Sequence, residues 1–238
     1  KPLNKNNRLK TQFSGFLLGL HFYFFFSAVK MTTIANATFL GTIAPLFTIL
    51  IETFWLKREV PKNIIFTLLI ILLASGVIVF NDFSFSNSYT LGNMYAVICS
   101  LLLGIGFIIS EDVRQTESTI SFSRTLYISA LCTLFILSLI INESVFSSAI
   151  IDIGNITGLL ILGIVPTIFG HNSLYYAVKH ISPSIIASVP LGEPIIASIL
   201  AFFIFKESIT DVIIISGVVI ILGLLYLINI SKNAIEVD

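Results

Sequence analysis

Apolar residues gather into eight unbroken blocks along the chain, at roughly 12–29, 33–55, 64–80, 90–109, 124–142, 155–178, 184–205 and 211–229. Each block is long enough to cross a hydrocarbon core of about 30 Å at 1.5 Å per helical residue. None shows the apolar-out, polar-in alternation of a barrel strand, and in lipid only helices and closed barrels satisfy their own backbone hydrogen bonds. The pattern predicts an all-α integral membrane protein, a polytopic bundle with eight transmembrane helices. Polar and charged residues fall in the short intervals between the blocks.

Composition points the same way. Hydrophobic residues make up 56% of the chain and charged residues 11%, too little polar surface for a soluble domain. The placement of charge predicts orientation. If the N-terminal end is cytoplasmic, that side holds Lys1, Lys5, Arg8, Lys10, Lys57, Arg58, Lys62, Arg114, Arg124, Lys179 and Lys232, and the far side keeps only Lys30 and Lys206. This bias predicts a multi-pass protein of the cell (cytoplasmic) membrane with both ends of the chain in the cytoplasm. The far-side loops, Asn81-Asp82-Phe83 onward and Asn142-Glu143 to Asp152, carry acids and no Lys or Arg. Cys99 and Cys132 fall inside predicted spans, where a thiol behaves as a small hydrophobe, so no disulfide framework is implied. The first residue is Lys and the first span starts a dozen residues in without a cleavage site, which reads as an internal stretch of a longer chain.

An internal repeat emerges when 21–81 is laid beside 171–229. His21 precedes Ala28-Val29-Lys30 as His171 precedes Ala177-Val178-Lys179. Fifteen residues beyond each Lys stands a proline, Pro45 and Pro194, and twelve further on come Phe54-Trp55-Leu56-Lys57 and Phe203-Ile204-Phe205-Lys206. A glutamate follows each, Glu59 or Glu207, and both copies end one span later at Asn81 and Asn229. Charge counting puts Lys57 and Lys206 on opposite sides, so the repeats are expected to be inverted. Inversion needs an odd number of spans per copy. The second copy (88–230) can hold five, the first (1–82) holds three, and residues 231–238 form a cytoplasmic tail. Two further spans upstream would complete ten helices, and inverted repeats of this kind are typical of secondary transporters.

The stretches Gly170-His171-Asn172-Ser173-Leu174-Tyr175-Tyr176-Ala177-Val178-Lys179, Ser182-Pro183-Ser184, Leu191-Gly192-Glu193-Pro194-Ile195-Ile196-Ala197-Ser198 and Phe205-Lys206-Glu207 resemble the second repeat of the EamA-type drug/metabolite transporter superfamily. Ala44-Pro45-Leu46-Phe47 through Lys57-Arg58-Glu59 is similar to the corresponding part of the first. The resemblance covers about 12–230 and is specific for the superfamily but not for a substrate. It implies a ten-helix bundle of two five-helix repeats that moves small metabolites, often outward, without ATP.

Several side chains are candidates for chemistry. Glu193 sits near the middle of its span between Pro190 and Pro194. Each proline removes a helical N–H bond and disturbs the carbonyl four residues earlier, so a carboxylate with freed carbonyls suits a cation, a proton or a substrate amine. A glutamate that only ties helices together is the structural alternative. His21 and His171 stand at matching points of the two repeats and are expected to face each other across the pathway, where either can donate to substrate or relay a proton; a structural hydrogen bond is the commoner role. Asn172 and Tyr176 share a helical face with Ser173 that can orient a polar metabolite, although Tyr175 or Tyr176 also suits the interfacial aromatic belt. Asn36 can line the cavity or hold helices together. Glu52 lies near a boundary, where it can snorkel to the interface or pair with a basic residue. Pro45 and Pro166, like Pro190 and Pro194, mark kinks that moving helices can use as hinges. Gly15-xxx-Gly19, Gly154-xxx-Gly158 and Ala197-xxx-Ala201 read as packing faces.

No phosphate-cradling Gly loop, Gly-x-Ser-x-Gly elbow or His-Glu-x-x-His pair is present, so no enzyme is indicated, and neither a metal site nor a cofactor is expected. The expected partners are a small-molecule substrate, membrane lipid and protons, not nucleic acid, and a homodimer is left open. The reading is a secondary transporter or exporter of small organic metabolites, amino-acid-like or drug-like. A membrane scaffold and a passive channel are the rival classes.

Overall fold

The computed structural model describes residues 3–80, 85–142, 153–206 and 208–235. The acidic loops named above, apart from Asn142, and Glu207 lie outside the described residues. Among the described residues there are eight helices long and apolar enough to span a membrane: α1 (Lys5–Met31), α2 (Ile34–Trp55), α3 (Lys62–Val79), α4 (Asn87–Arg114), α5 (Thr119–Ile140), α6 (Ile153–Ala177), α7 (Pro183–Ile204) and α8 (Asp211–Ser231). The chain is a polytopic α-helical membrane protein, as the apolar blocks predict.

Local chemistry starts these helices where they start. The Thr33 hydroxyl accepts the Asn36 N–H at 3.0 Å and caps α2, and Ser118 does the same for the Ser121 N–H of α5. Pro183 opens α7 at a first-turn position where a missing N–H costs nothing. Three spans are not regular throughout. α2 breaks at Thr42–Ile43, resumes at Ala44–Leu50 and finishes in a π-helical turn, Ile51–Trp55. α6 carries a π-helical stretch, Gly163–His171, around Pro166. α7 tightens to a 3₁₀ turn at Val189–Gly192 before resuming at Glu193. All four sequence-predicted kink prolines therefore lie at or beside an irregularity.

Packing divides the chain into two compact units. One comprises residues 1–20 and 106–180, the other 21–105 and 181–238. In the first, α1 and α5 approach through Gly15 and Gly19. A side chain at Gly15 would collide with the Leu126 carbonyl oxygen and come within 2.6 Å of Ser129 Cβ, and one at Gly19 would lie 2.7 Å from Thr133 Cβ. The glycine pair is thus a packing face, which suits a medium where contact rather than water exclusion holds helices together. Tyr175 is buried against Phe107 and Phe122, with ring centroids at 5.7 and 5.4 Å. Arg114 closes the same unit, donating from Nε to the Tyr175 carbonyl at 3.0 Å and from Nη2 to Thr119 Oγ1 at 2.6 Å.

In the second unit, equivalent helices of the two sequence repeats pack on each other. α3 lies along α8, with Ile64, Leu68 and Ile71 buried against Ile220 and Leu227, while Ala44–Leu50 of α2 packs on Pro183–Ser188 of α7. Lys57 and Lys206, matched in the sequence, both adopt the left-handed conformation at the ends of α2 and α7, with φ of 57° and 60°. Such φ values are uncommon outside glycine. Moreover, the end of α2 meets the start of α7: the buried Glu52 carboxylate accepts a hydrogen bond from the Ser184 hydroxyl and pairs with Arg58 Nη1 at 3.3 Å. From there α7 runs 22 residues, about 33 Å, before reaching Lys206. Lys57 and Lys206 therefore stand at opposite ends of this unit.

Two outcomes test this packing. Gly15→Val should lower the unfolding midpoint in detergent, by an amount corresponding to about 1–3 kcal/mol of overpacking, whereas Gly158→Val, at a glycine with nothing within 4 Å, should not. Glu52→Ala should destabilise by about 1–3 kcal/mol, since Arg58 and Ser184 lose their acceptor, and the same assay reads it; an unchanged midpoint would remove Glu52 from the structural core.

Candidate functional site

In the second unit, α1 and α4 bring together His21 and Cys99, and α7 of the same unit carries Glu193. His21 is buried, and its Nδ1 lies 3.0 Å from the Cys99 carbonyl oxygen and 3.1 Å from Cys99 Sγ. A proton on Nδ1 serves the carbonyl and leaves Nε2 as the basic nitrogen. Cys99 is itself fully buried. Yet Glu193 is exposed, beside a buried Pro194. Glu193 stands at the midpoint of α7, where the 3₁₀ turn hands over to the next helical segment.

The carbonyls expected to be freed beside Glu193 are not left over. The Ile186 oxygen accepts the Val189 N–H, and the Pro190 oxygen accepts the N–H of Glu193 itself. Tightening from i+4 to i+3 bonds absorbs what the prolines release. The carboxylate, rather than a ring of carbonyls, is the polar feature of this break.

Asn36 lies in the same unit but in another polar cluster. Its side chain is fully buried, with Nδ2 donating to Asn93 Oδ1 at 2.9 Å, and Thr32 Oγ1 donates to that same oxygen at 2.7 Å. The cluster ties the end of α1 and the start of α2 to α4 where Gly92 admits them; a side chain at Gly92 would lie 2.8 Å from the Met31 carbonyl carbon. Asn36 thus holds helices together, one of the two roles its position allowed.

His171, Asn172 and Tyr176 belong to the first unit. His171 ends the π-helical stretch and is half-buried. Asn172 accepts a hydrogen bond from Ser123 of α5, whereas Ser173 turns back to the Phe169 carbonyl at 2.5 Å and Tyr176 is 60% exposed, tilted against His180. The face expected to carry Asn172, Ser173 and Tyr176 together is therefore divided. Tyr175 has gone to the core, leaving Tyr176 as the residue suited to a membrane interface.

Sequence reasoning underrated Glu52 and passed over Asn93 and Cys99. The pairing of Glu52 with a basic residue is present, but the side chain is buried and reaches Ser184 as well. Its proximity to Trp55 and Lys57 suggested a boundary position, and only the π-helical turn, which shifts the phase of the helix, carries it inward. Asn93 offers no pattern by itself, and a cysteine inside an apolar block reads as filler.

Comparison with known proteins accords with this architecture. A model of the EamA-like transporter family matches residues 1–80 and 90–229. An uncharacterized transporter of Clostridium kluyveri is 28% identical over 211 residues, covering 87% of this chain and 66% of that protein. The pseudopaline exporter CntI of Pseudomonas aeruginosa is 28% identical over 174 residues, covering 73% of this chain and 58% of the exporter. The chain thus spans less than two thirds of the length of the exporter and about two thirds of the Clostridium protein. A solved crystal structure superposes with a TM-score of 0.73 at 19% identity, over 91% of this chain and 73% of its own, a likeness of fold. With two matched segments that take in nearly all of its helices, the chain belongs to the EamA-like transporter family.

Proposed function

We propose that this chain forms most of a secondary active transporter that exports small organic metabolites, amino-acid-like or drug-like, by alternating access, with Glu193 as the coupling and substrate-facing carboxylate. The observation that carries the reading is Glu193, exposed at the midpoint of a broken span, in the same unit as the buried His21–Cys99 pair. An ionisable group at mid-membrane depth is costly unless it faces a polar pathway, and broken helices are where transporter sites lie. Export is favoured because one relative bears the name of an exporter.

Alternating access needs two inverted halves that exchange shapes. The opposite placement of Lys57 and Lys206, their shared backbone conformation and the pairing of equivalent helices all support inversion. The breaks at Pro45 and at Pro190 and Pro194 lie in paired helices, which suits hinges working in concert. The basic bias of the loops supports a cytoplasmic-membrane location with both ends of this chain inside. A proton is the favoured coupling ion. It needs no ligand cage, and among the described residues no group of three or more His, Cys, Asp or Glu side chains could hold a metal. Neither catalysis nor a cofactor belongs to this reading.

Two experiments test it. In vesicles holding the full-length protein, Glu193→Gln should cut gradient-driven substrate flux by at least tenfold while leaving the unfolding midpoint within a few degrees of wild type; flux of the variant that still tracked an imposed pH gradient would refute coupling at this carboxylate. Single cysteines at positions 57 and 206, in a background with Cys99 and Cys132 replaced, should react with a membrane-impermeant maleimide from opposite sides of the membrane. Reaction of both from one side would end the inverted arrangement.

A further inference from the structure

The seam between α1 and α5 closes at Gly15 and Gly19 and opens toward the N-terminal ends of both helices. A cleft of about 310 Å³ lies there. Arg8 and Gln12 line it from α1, Arg124, Thr125 and Ser129 from α5, and Leu3 and Ile128 supply apolar wall. Residues 8, 12, 15 and 19 follow one face of α1 at helical spacing, so the cleft continues the glycine seam. Glycine lets the two backbones touch in the membrane interior, and the long side chains of Arg8, Gln12 and Arg124 hold them apart at the end.

The charge in this cleft is not neutralised from within. Both arginines are exposed, and among the described residues neither guanidinium meets a carboxylate. The acids close by are engaged elsewhere: Asp112 pairs with Lys10, and Glu117 accepts from the backbone N–H of Asn4 at 3.2 Å and from Asn7 Nδ2 at 2.9 Å. Helices of 27 and 22 residues both begin at this end, so the positive ends of two macrodipoles add to two guanidinium groups. The Thr125 hydroxyl is committed to the Ser121 carbonyl, which leaves the Gln12 amide and the Ser129 hydroxyl as neutral donors beside the two arginines.

This combination has a definite complement. Guanidinium forks match the oxygens of a phosphate in pairs. The volume is at the small end of ligand sites, of about 300–1,000 Å³, and suits a headgroup rather than a large solute. Arg8 and Arg124 sit at the margin of the apolar blocks that begin near residues 12 and 124, the depth at which lipid phosphates lie, and Ile128 leads from the polar end toward the hydrocarbon. Basic pockets between transmembrane helices are where anionic headgroups are held.

We propose that the α1–α5 cleft binds a phosphate-bearing anion, the headgroup of an anionic phospholipid, through Arg8 and Arg124 with Gln12 and Ser129 as supporting donors. The full-length protein in detergent, titrated with phosphatidylglycerol, phosphatidylcholine, inorganic phosphate or glycerol 3-phosphate, tests this by native mass spectrometry and by the unfolding midpoint. Phosphatidylglycerol should leave a retained adduct and raise the midpoint, while phosphatidylcholine should do neither. The double variant R8Q/R124Q should bind phosphatidylglycerol about 30-fold more weakly, from two basic side chains, and R8K/R124K should recover part of that loss. Replacing Lys179, outside the cleft, with Gln should change nothing. Displacement of the lipid by millimolar inorganic phosphate or glycerol 3-phosphate would keep the anion site and overturn the lipid as its source. Equal binding of the two lipids, or a double variant that binds as wild type does, would overturn the site itself.

Discussion

Every backbone N–H and C=O in a hydrocarbon layer must find its partner inside the protein, and the rest of this structure follows from that requirement. It dictates helices, and it dictates what happens where proline interrupts them. At Pro190 and Pro194 the chain does not leave carbonyls open but tightens into a 3₁₀ turn, so that the Ile186 and Pro190 oxygens are taken by nearer N–H groups. Around Pro166, and again after Pro45 at Ile51–Trp55, it loosens into π-helix. Both adjustments keep the backbone satisfied, and both turn the helix relative to its regular phase. The irregular segments therefore redirect side chains, and the residues with chemical potential, Glu52, His171 and Glu193, all stand in or beside them.

With little hydrophobic drive between helices in lipid, close approach and buried hydrogen bonds hold the bundle. Gly15, Gly19 and Gly92 allow backbones to touch, and Asn36, Asn93 and Thr32 join three helices through a single carbonyl oxygen. Glu52 is the more consequential case. A buried carboxylate is tolerable only when it is paired and hydrogen-bonded, and here the partners come from its own helix end, through Arg58, and from the start of α7, through Ser184. The same contact orders the topology: by seating the beginning of one span against the end of its repeat-equivalent, it sends Lys206 to the far end of the unit from Lys57.

The polar groups divide by purpose. Asn36, Asn172 and Glu52 are engaged in joining helices. Glu193, by contrast, is exposed. A group fully occupied by the protein has nothing to offer a solute, whereas an exposed one does. The basic end of the first unit follows a similar logic on its outer surface, where Arg8 and Arg124 flank a cleft while the neighbouring acids are bound to other partners.

The sequence by itself determined the number of spans, their helical character and the prolines beside which three of them break, because apolar block length and proline act locally. It also marked Glu193, since an acid inside an apolar block is conspicuous whatever surrounds it. Which polar residues were structural was another matter. That Tyr175 rather than Tyr176 enters the core, that Glu52 turns inward to Ser184, and that His21 meets Cys99 across 78 positions were decided only in the tertiary structure. A side chain's facing depends on helix phase, which π and 3₁₀ turns reset, and on partners from distant spans, which no local pattern encodes.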